Sequence, residues 1–288
     1  MDLVVMKNPR GRLGILNDII EIAMPNRAFA SCISFAAGVI MSGFFETETV
    51  ILGMLMILCT YSSQAIFNNI RDLEGDKVNA PDRPLASGSI KVKHAWMLMG
   101  FLIVLGFVLA YLASPFLLVV NTVYITLGLL YSAFTKSKWY LSYSTLVTSH
   151  IVVPLASGYL LFGAFDEKIL AIIAFIYLTE VLAFSIKDYK DVRGDRLMGM
   201  KTLPVVLNPK KAAQITFVGL SLPLMFVWVP WHFLELSSLF LIIYLISGIW
   251  RYLSGSRLLK NPSPFVASQI LNNFRYMLIL QMVGWCLA

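Results

Sequence analysis

Two short segments of this chain hold acidic residues at spacings that could bind a metal ion. The first reads Asn68-Asn69-Ile70-Arg71-Asp72-Leu73-Glu74-Gly75-Asp76-Lys77. The second reads Lys187-Asp188-Tyr189-Lys190-Asp191-Val192-Arg193-Gly194-Asp195-Arg196. Both contain Asp-x-x-Gly-Asp followed by a base, 119 residues apart, as an internal repeat would. Asn68, Asp72 and Asp76 stand at i, i+4 and i+8, so one helix face would present three oxygen donors. Asp191 and Asp195 repeat the i, i+4 pair, with Asp188 three residues earlier on nearly the same face. Carboxylates this close repel unless a cation lies between them. A hard ion such as Mg²⁺ suits the pattern, because it takes one or two carboxylates and lets substrate phosphates complete its shell. Two such turns facing each other could hold two or more ions around one diphosphate. Lys77, Arg83, Lys187, Lys190 and Lys201 are available for the remaining phosphate charge. The plainer reading is a pair of solvated helix ends, where charge ordinarily collects. Two matching clusters, each ending a span on the same side, argue against it.

The elements that must position these residues are membrane helices. Hydrophobic residues make up 58% of the 288 and charged residues 14%, about half the charge share of soluble domains. That composition excludes a soluble globular protein, a disordered chain and a nucleic-acid binder. About 20 apolar residues cross a bilayer core. Charge-free stretches of 18 residues (Arg27 to Glu46) and 22 (Glu48 to Arg71) give the first two spans. The 41 residues between His94 and Lys136 give two more, with a break at Ser114-Pro115. Stretches of 27 (Lys138 to Asp166), 18 (Lys168 to Lys187, with Glu180 inside) and 23 (Lys211 to Glu235) follow. An eighth span is expected to begin near the Pro230-Trp231-His232 turn, and a ninth to run from about Pro264 to Ala288.

Charge then sets the orientation. Lys and Arg collect in cytoplasmic loops, and on this count 21 of the 23 basic residues fall on one side, from Lys7, Arg10, Arg12 and Arg27 to Arg251, Arg257 and Lys260. The expectation is an all-α bundle of nine transmembrane helices, N-terminus cytoplasmic and C-terminus external. It forms one domain, 1–288, with a cytoplasmic and interfacial segment at 1–27 and cytoplasmic motif loops at 71–94 and 187–211. Asp18, Glu21 and Pro25 interrupt the first apolar run, so Leu13–Met24 reads as an interfacial helix and not a signal peptide. Cys32, Cys59 and Cys286 lack metal-ligand spacing and read as buried thiols.

At these motifs the sequence resembles the UbiA family of intramembrane polyprenyl transferases. The family's N-(D/N)-x-x-D-x-x-x-D is matched by Asn68 to Asp76, and its R-P-(L/I)-x-S-G by Arg83-Pro84-Leu85-Ala86-Ser87-Gly88. Its K-D-x-x-D-x-x-G-D is matched by Lys187 to Asp195, and G-x-(K/R)-T-L-P by Gly199-Met200-Lys201-Thr202-Leu203-Pro204. Its Tyr-x-x-x-Lys element stands one residue longer, as Tyr131 to Lys136. The resemblance implies a multi-pass enzyme of the cell membrane whose catalytic residues are Asn68, Asp72, Asp76, Asp191 and Asp195. It implies Mg²⁺ bound there with a polyprenyl diphosphate, whose charge Lys77, Arg83, Lys136, Lys187 and Lys201 would share. A lipophilic acceptor would then attack carbon one of the prenyl chain. No obligate protein partner is evident.

The acceptor has two readings. The cations left over, and the Glu21-x-x-x-Pro25-Asn26 entry, favour the archaeal-type lipid enzyme, with geranylgeranylglyceryl phosphate as acceptor. The paired Asn68-Asn69 resemble naphthoquinone-type members that prenylate an aromatic ring. A Mg²⁺ carrier is a remoter class, since transport sites lie near the midplane on broken helices. Glu180, two turns before Asp188, could serve as acceptor contact or base, as could Tyr131; Glu180 could equally pair with a neighbouring helix. Arg275 could be functional or snorkel to the basic side. Asn272 and Asn273 read as contacts between helices, and His94, His150 and His232 as structural.

Overall fold

The computed structural model describes residues 12–288, so Lys7 and Arg10 lie outside the described residues. The helices are α1 (Arg12–Ala23), α2 (Pro25–Met41), α3 (Thr47–Arg71), α4 (Leu73–Asn79) and α5 (Val92–Ala113). Next come α6 (Pro115–Thr135), α7 (Trp139–Phe162) and α8 (Glu167–Lys190). The short α9 (Val192–Leu197) and α10 (Leu203–Val206) precede α11 (Pro209–Phe233), α12 (Ser238–Lys260) and α13 (Pro264–Cys286). No strand forms among the described residues.

Seven of these helices, α3, α5, α6, α7, α8, α11 and α12, are long and apolar enough to cross a bilayer. The other two expected spans are the 17-residue α2 and the 23-residue α13, which pack against each other. Local chemistry sets the boundaries. Ser114 caps α6 by accepting from Phe116 N at 3.2 Å, with Pro115 in the first turn, where its missing N–H costs nothing. Ser237 and Ser263 cap α12 and α13 in the same way. The expected start of a span at Pro230–His232 is corrected: that turn prolongs α11, and the chain reverses at Glu235, in left-handed backbone at φ 52.

Packing between α2 and α7 needs residues without side chains. A Cβ at Gly38 would stand 2.0 Å from Leu155 O, and one at Gly158 2.0 Å from Phe35 O. The two backbones therefore meet directly, as small residues allow between membrane helices. Outward-facing Phe101, Val104, Tyr111 and Leu112 on α5 give the bundle its apolar exterior.

One further correction concerns charge. Arg251, counted above with the cytoplasmic cations, lies fully buried inside α12 and faces α8.

Candidate active site

Both acidic segments end at one cavity of about 220 Å³, lined among others by Asn68, Asp72, Asp188, Asp191 and Asp195. Helix α3 stops at Arg71 and α4 begins at Leu73, so Asp72 sits at an interruption and not within one continuous helix. The i, i+4 pair survives it: Asn68 Nδ2 donates to Asp72 Oδ2 at 2.8 Å. Asp76, on α4, lines an adjoining smaller recess, and Arg83 Nη1, from the wall of the main cavity, reaches both of its carboxylate oxygens at 2.7 Å. Asp72 lines both hollows and so links Asn68 in the cavity to Asp76 in the recess.

The second segment gains its shape from a change of helix. α8 is α-helical to Glu180 and 3₁₀ over Ala183–Lys190. With three residues per turn, Asp188 and Asp191 eclipse each other, and so do Lys187 and Lys190. Each acid pairs with a neighbouring cation: Asp188 with Lys187 and Asp191 with Lys190. Asp188 also accepts from Tyr143 Oη at 2.6 Å and is buried. Lys136 crosses from the end of α6 to Asp72.

Among the described residues no three acidic or histidine side chains converge closely enough to enclose one ion by themselves. The arrangement is instead a ring of carboxylates, four of them paired with a base. Asp195 is the one of these acids that has no basic partner at ion-pair distance; it accepts from Thr202 Oγ1 at 3.1 Å. Burial, with the charges of Asp188 and Asp191, pushes its carboxyl up to about 6. A buried oxygen donor facing two like charges is where an added cation gains most. The donors Asn68, Asp72, Asp191 and Asp195 therefore fit a hard divalent ion that draws only one or two carboxylates from the protein.

The structure does not bring every expected residue to the cavity. Lys77 pairs with Glu74 at 2.7 Å on the surface. Lys201 is exposed, and its backbone bonds to Ser137 and Trp139. Glu180 is turned away onto Arg251. Tyr131 and Lys136 do line the cavity together. The residue that makes their element one longer is taken up by a π-helical turn, in which Lys136 N bonds Tyr131 O at 2.9 Å. Lys187 then lies over the rings of Tyr131 and Tyr143, at 5.7 and 5.5 Å from their centroids.

Sequence reasoning missed two residues that shape the site. Asn69 is no ligand: it is buried and donates to Ile22 O at 2.9 Å, pinning the end of α1 to the motif helix. Asn79 clamps the two acidic segments together, donating to Asp191 O at 3.0 Å and accepting from Gly194 N at 2.9 Å. The fit is close enough that a Cβ on Gly194 would stand 2.2 Å from Asn79 Nδ2. The only signal was an asparagine following Asp76 by three residues. Asn79→Ala is expected to cut kcat/KM by up to about thirtyfold, since two hydrogen bonds at roughly 1 kcal/mol each hold the register of Asp191 and Asp195. Steady-state kinetics check this, and an unchanged kcat/KM would remove the clamp from the account.

The family model described as the UbiA prenyltransferase family matches residues 29–278. The digeranylgeranylglyceryl phosphate synthase of Methanosphaera stadtmanae is 27% identical over 259 residues, covering 86% of this chain and 90% of that protein. The synthase of the same name from Thermococcus kodakarensis is 31% identical over 206 residues, 68% of this chain and 71% of that one. A UbiA homolog from Archaeoglobus fulgidus, solved bound to DMAPP and Mg²⁺, shares the fold with a TM-score of 0.70 at 17% identity, covering 93% of this chain and 97% of its own.

Proposed function

The chain belongs to the UbiA prenyltransferase family and is a multi-pass membrane prenyltransferase; from that premise we propose that it transfers a polyprenyl group from its diphosphate to geranylgeranylglyceryl phosphate. The observation that carries the reading is the meeting of both acidic segments, with their paired bases, at one end of an otherwise largely apolar cavity. The relatives named above, two archaeal synthases of digeranylgeranylglyceryl phosphate, support this acceptor.

In this reading Asn68, Asp72, Asp191 and Asp195, with Asp76 and Asp188 beside them, hold Mg²⁺. When bound, the ion neutralises the diphosphate and makes it a better leaving group. Lys136, Lys187, Lys190 and Arg83 exchange their carboxylate partners for phosphate oxygens, so cations held by acids without substrate turn to the diphosphate when it binds. The prenyl chain lies along Leu146, Ile151, Phe184 and Leu278. As the bond between carbon one and the diphosphate oxygen breaks, the electron pair leaves with the diphosphate. The acceptor hydroxyl oxygen bonds carbon one and gives up its proton to an oxygen of the departing diphosphate. Rings such as Tyr131 and Phe274 exclude water from the allylic cation.

We infer that α2 and α13 complete nine spans in a single domain over 1–288, with both motif loops cytoplasmic and the C-terminus external. The basic loops support this even with Arg251 withdrawn from the count. Geranylgeranyl diphosphate and Mg²⁺, supplied with geranylgeranylglyceryl phosphate or with a hydroxynaphthoate in turn, are expected to yield product only from the lipid acceptor. A prenylated naphthoate as the sole product, identified by mass spectrometry, would overturn the assignment.

A pH dependence follows from Asp195. Its carboxyl titrates near 6, so below that pH a proton competes for the oxygen that Mg²⁺ needs. Mg²⁺ affinity is expected to fall about tenfold per unit as pH drops below 6, and Asp195→Asn should flatten that profile. A wild-type affinity that stays level from pH 5 to 7 would remove Asp195 from the ligands.

A further inference from the structure

The cavity carries more positive charge than its acidic end accounts for. Lys136, Lys187 and Lys190, like Arg83, each hold a carboxylate. Two more cations line the same cavity, Arg27 in the first turn of α2 and Arg275 midway along α13. Neither forms an ion pair or a side-chain hydrogen bond with any described residue. Because α2 packs on α13, the two guanidiniums line one cavity, and Tyr61 of α3 lines it with them.

Arg27 is held in this place by the backbone. Met24 adopts left-handed geometry at φ 49, Pro25 starts α2, and Arg27 N bonds Met24 O at 2.9 Å. Asn69 anchors the corner through Ile22 O. Arg275, half-buried, lines the cavity beside Phe274 and Leu278. Two like charges in the wall of a membrane bundle, with no acid at ion-pair distance, are costly until an anion joins them. The guanidinium fork is the side chain best matched to phosphate oxygens.

We propose that Arg27 and Arg275 form a second anion subsite, which receives the phosphate of the acceptor and selects a polyprenylglyceryl phosphate over an uncharged or monocarboxylate acceptor. This rests on the prenyltransferase reading of the same cavity. Charge matching decides the class of ligand. A phosphomonoester carries close to two negative charges at neutral pH, equal to the two guanidiniums. A carboxylate would leave one of them unmatched, and a neutral alcohol both. Arg27 and Arg275 are not among the cations that hold the carboxylates, so donor diphosphate and acceptor phosphate draw on different side chains of one cavity.

The test uses full-length protein in lipid nanodiscs. Equilibrium binding of geranylgeranylglyceryl phosphate, its dephosphorylated alcohol and a hydroxynaphthoate is measured without donor, and transfer is then measured with geranylgeranyl diphosphate and Mg²⁺. The phosphate ligand is expected to bind at least about tenfold tighter than the alcohol. Arg27→Gln and Arg275→Gln should each reduce that preference about tenfold to a hundredfold, the scale of one lost charge-assisted contact. Arg275→Lys should restore part of it, and affinity for the donor should stay within about twofold. Equal binding of phosphate and alcohol by the wild type overturns the subsite. So does tighter binding of the naphthoate, or an equal loss of donor and acceptor affinity in both Gln variants. If the binding preference is present but no acceptor is prenylated, the subsite stands and the transfer reading fails.

Discussion

Asp72→Asn is expected to lower Mg²⁺-dependent transfer by about a hundredfold to a thousandfold, the usual cost of removing one electrostatic stabiliser from a preorganised site. The substitution keeps the volume of the side chain and an oxygen for Asn68 Nδ2, whose bond to Asp72 Oδ2 is 2.8 Å. What it removes is charge, in two places at once. The oxygen proposed as a metal donor loses its negative charge, and Lys136, mostly buried beside it, loses its partner. Without that partner the ammonium is held less firmly where a phosphate would meet it. Asp191→Asn should show the same loss from the opposite segment, releasing Lys190. Product release followed over a Mg²⁺ titration separates the causes: lost metal binding raises the Mg²⁺ requirement, whereas a misplaced lysine lowers kcat at saturating metal. Full activity in both variants would sink the site assignment.

The helices were readable from charge-free stretches, because a bilayer admits few ways to satisfy backbone polar groups. The acidic segments were readable for the same reason, since a charge at the edge of a span stands out. What spacing could not supply was local departure from α geometry. Asp76 is expected to face the cavity with Asp72, and past the interruption at Asp72 it lines only the adjoining recess, which Asp72 shares. The extra residue between Tyr131 and Lys136 looked like a misfit until a π turn absorbed it. Glu180 is the sharpest case. Counted at 100° per residue, it stands about 80° from Asp188, close enough to suggest a common cavity. With Ala183–Lys190 wound as 3₁₀ at about 120° per residue, the separation becomes roughly 180°. The pairing of Asn79 with a segment more than a hundred residues away, and that of Arg27 with Arg275, depend on which helices pack together. No local pattern records that.

Turned away from the cavity, Glu180 carries the second large effect, which is on stability and not on chemistry. Arg251 Nη1 donates to Glu180 Oε1 at 2.7 Å and Nη2 to Oε2 at 3.0 Å, so the pair is bidentate. Both side chains are buried, and Gln281 Oε1 accepts from Arg251 Nη1 at 2.8 Å. The cluster ties α8, α12 and α13 together, and the guanidinium lies 4.9 Å from the centroid of Phe274, a residue of the cavity wall. Removing one partner strands the other charge in an apolar interior. Glu180→Gln is therefore expected to cost about 3–5 kcal/mol, as is Arg251→Met, while the double change Glu180→Met with Arg251→Met should recover most of the loss. Thermal unfolding in detergent measures all three. Kinetics on the protein that remains folded then decide between roles. If Glu180 served as base, Glu180→Gln would lose transfer at unchanged stability. With a pair that braces α8 against α12 and α13, stability falls first, and each folded molecule still turns over.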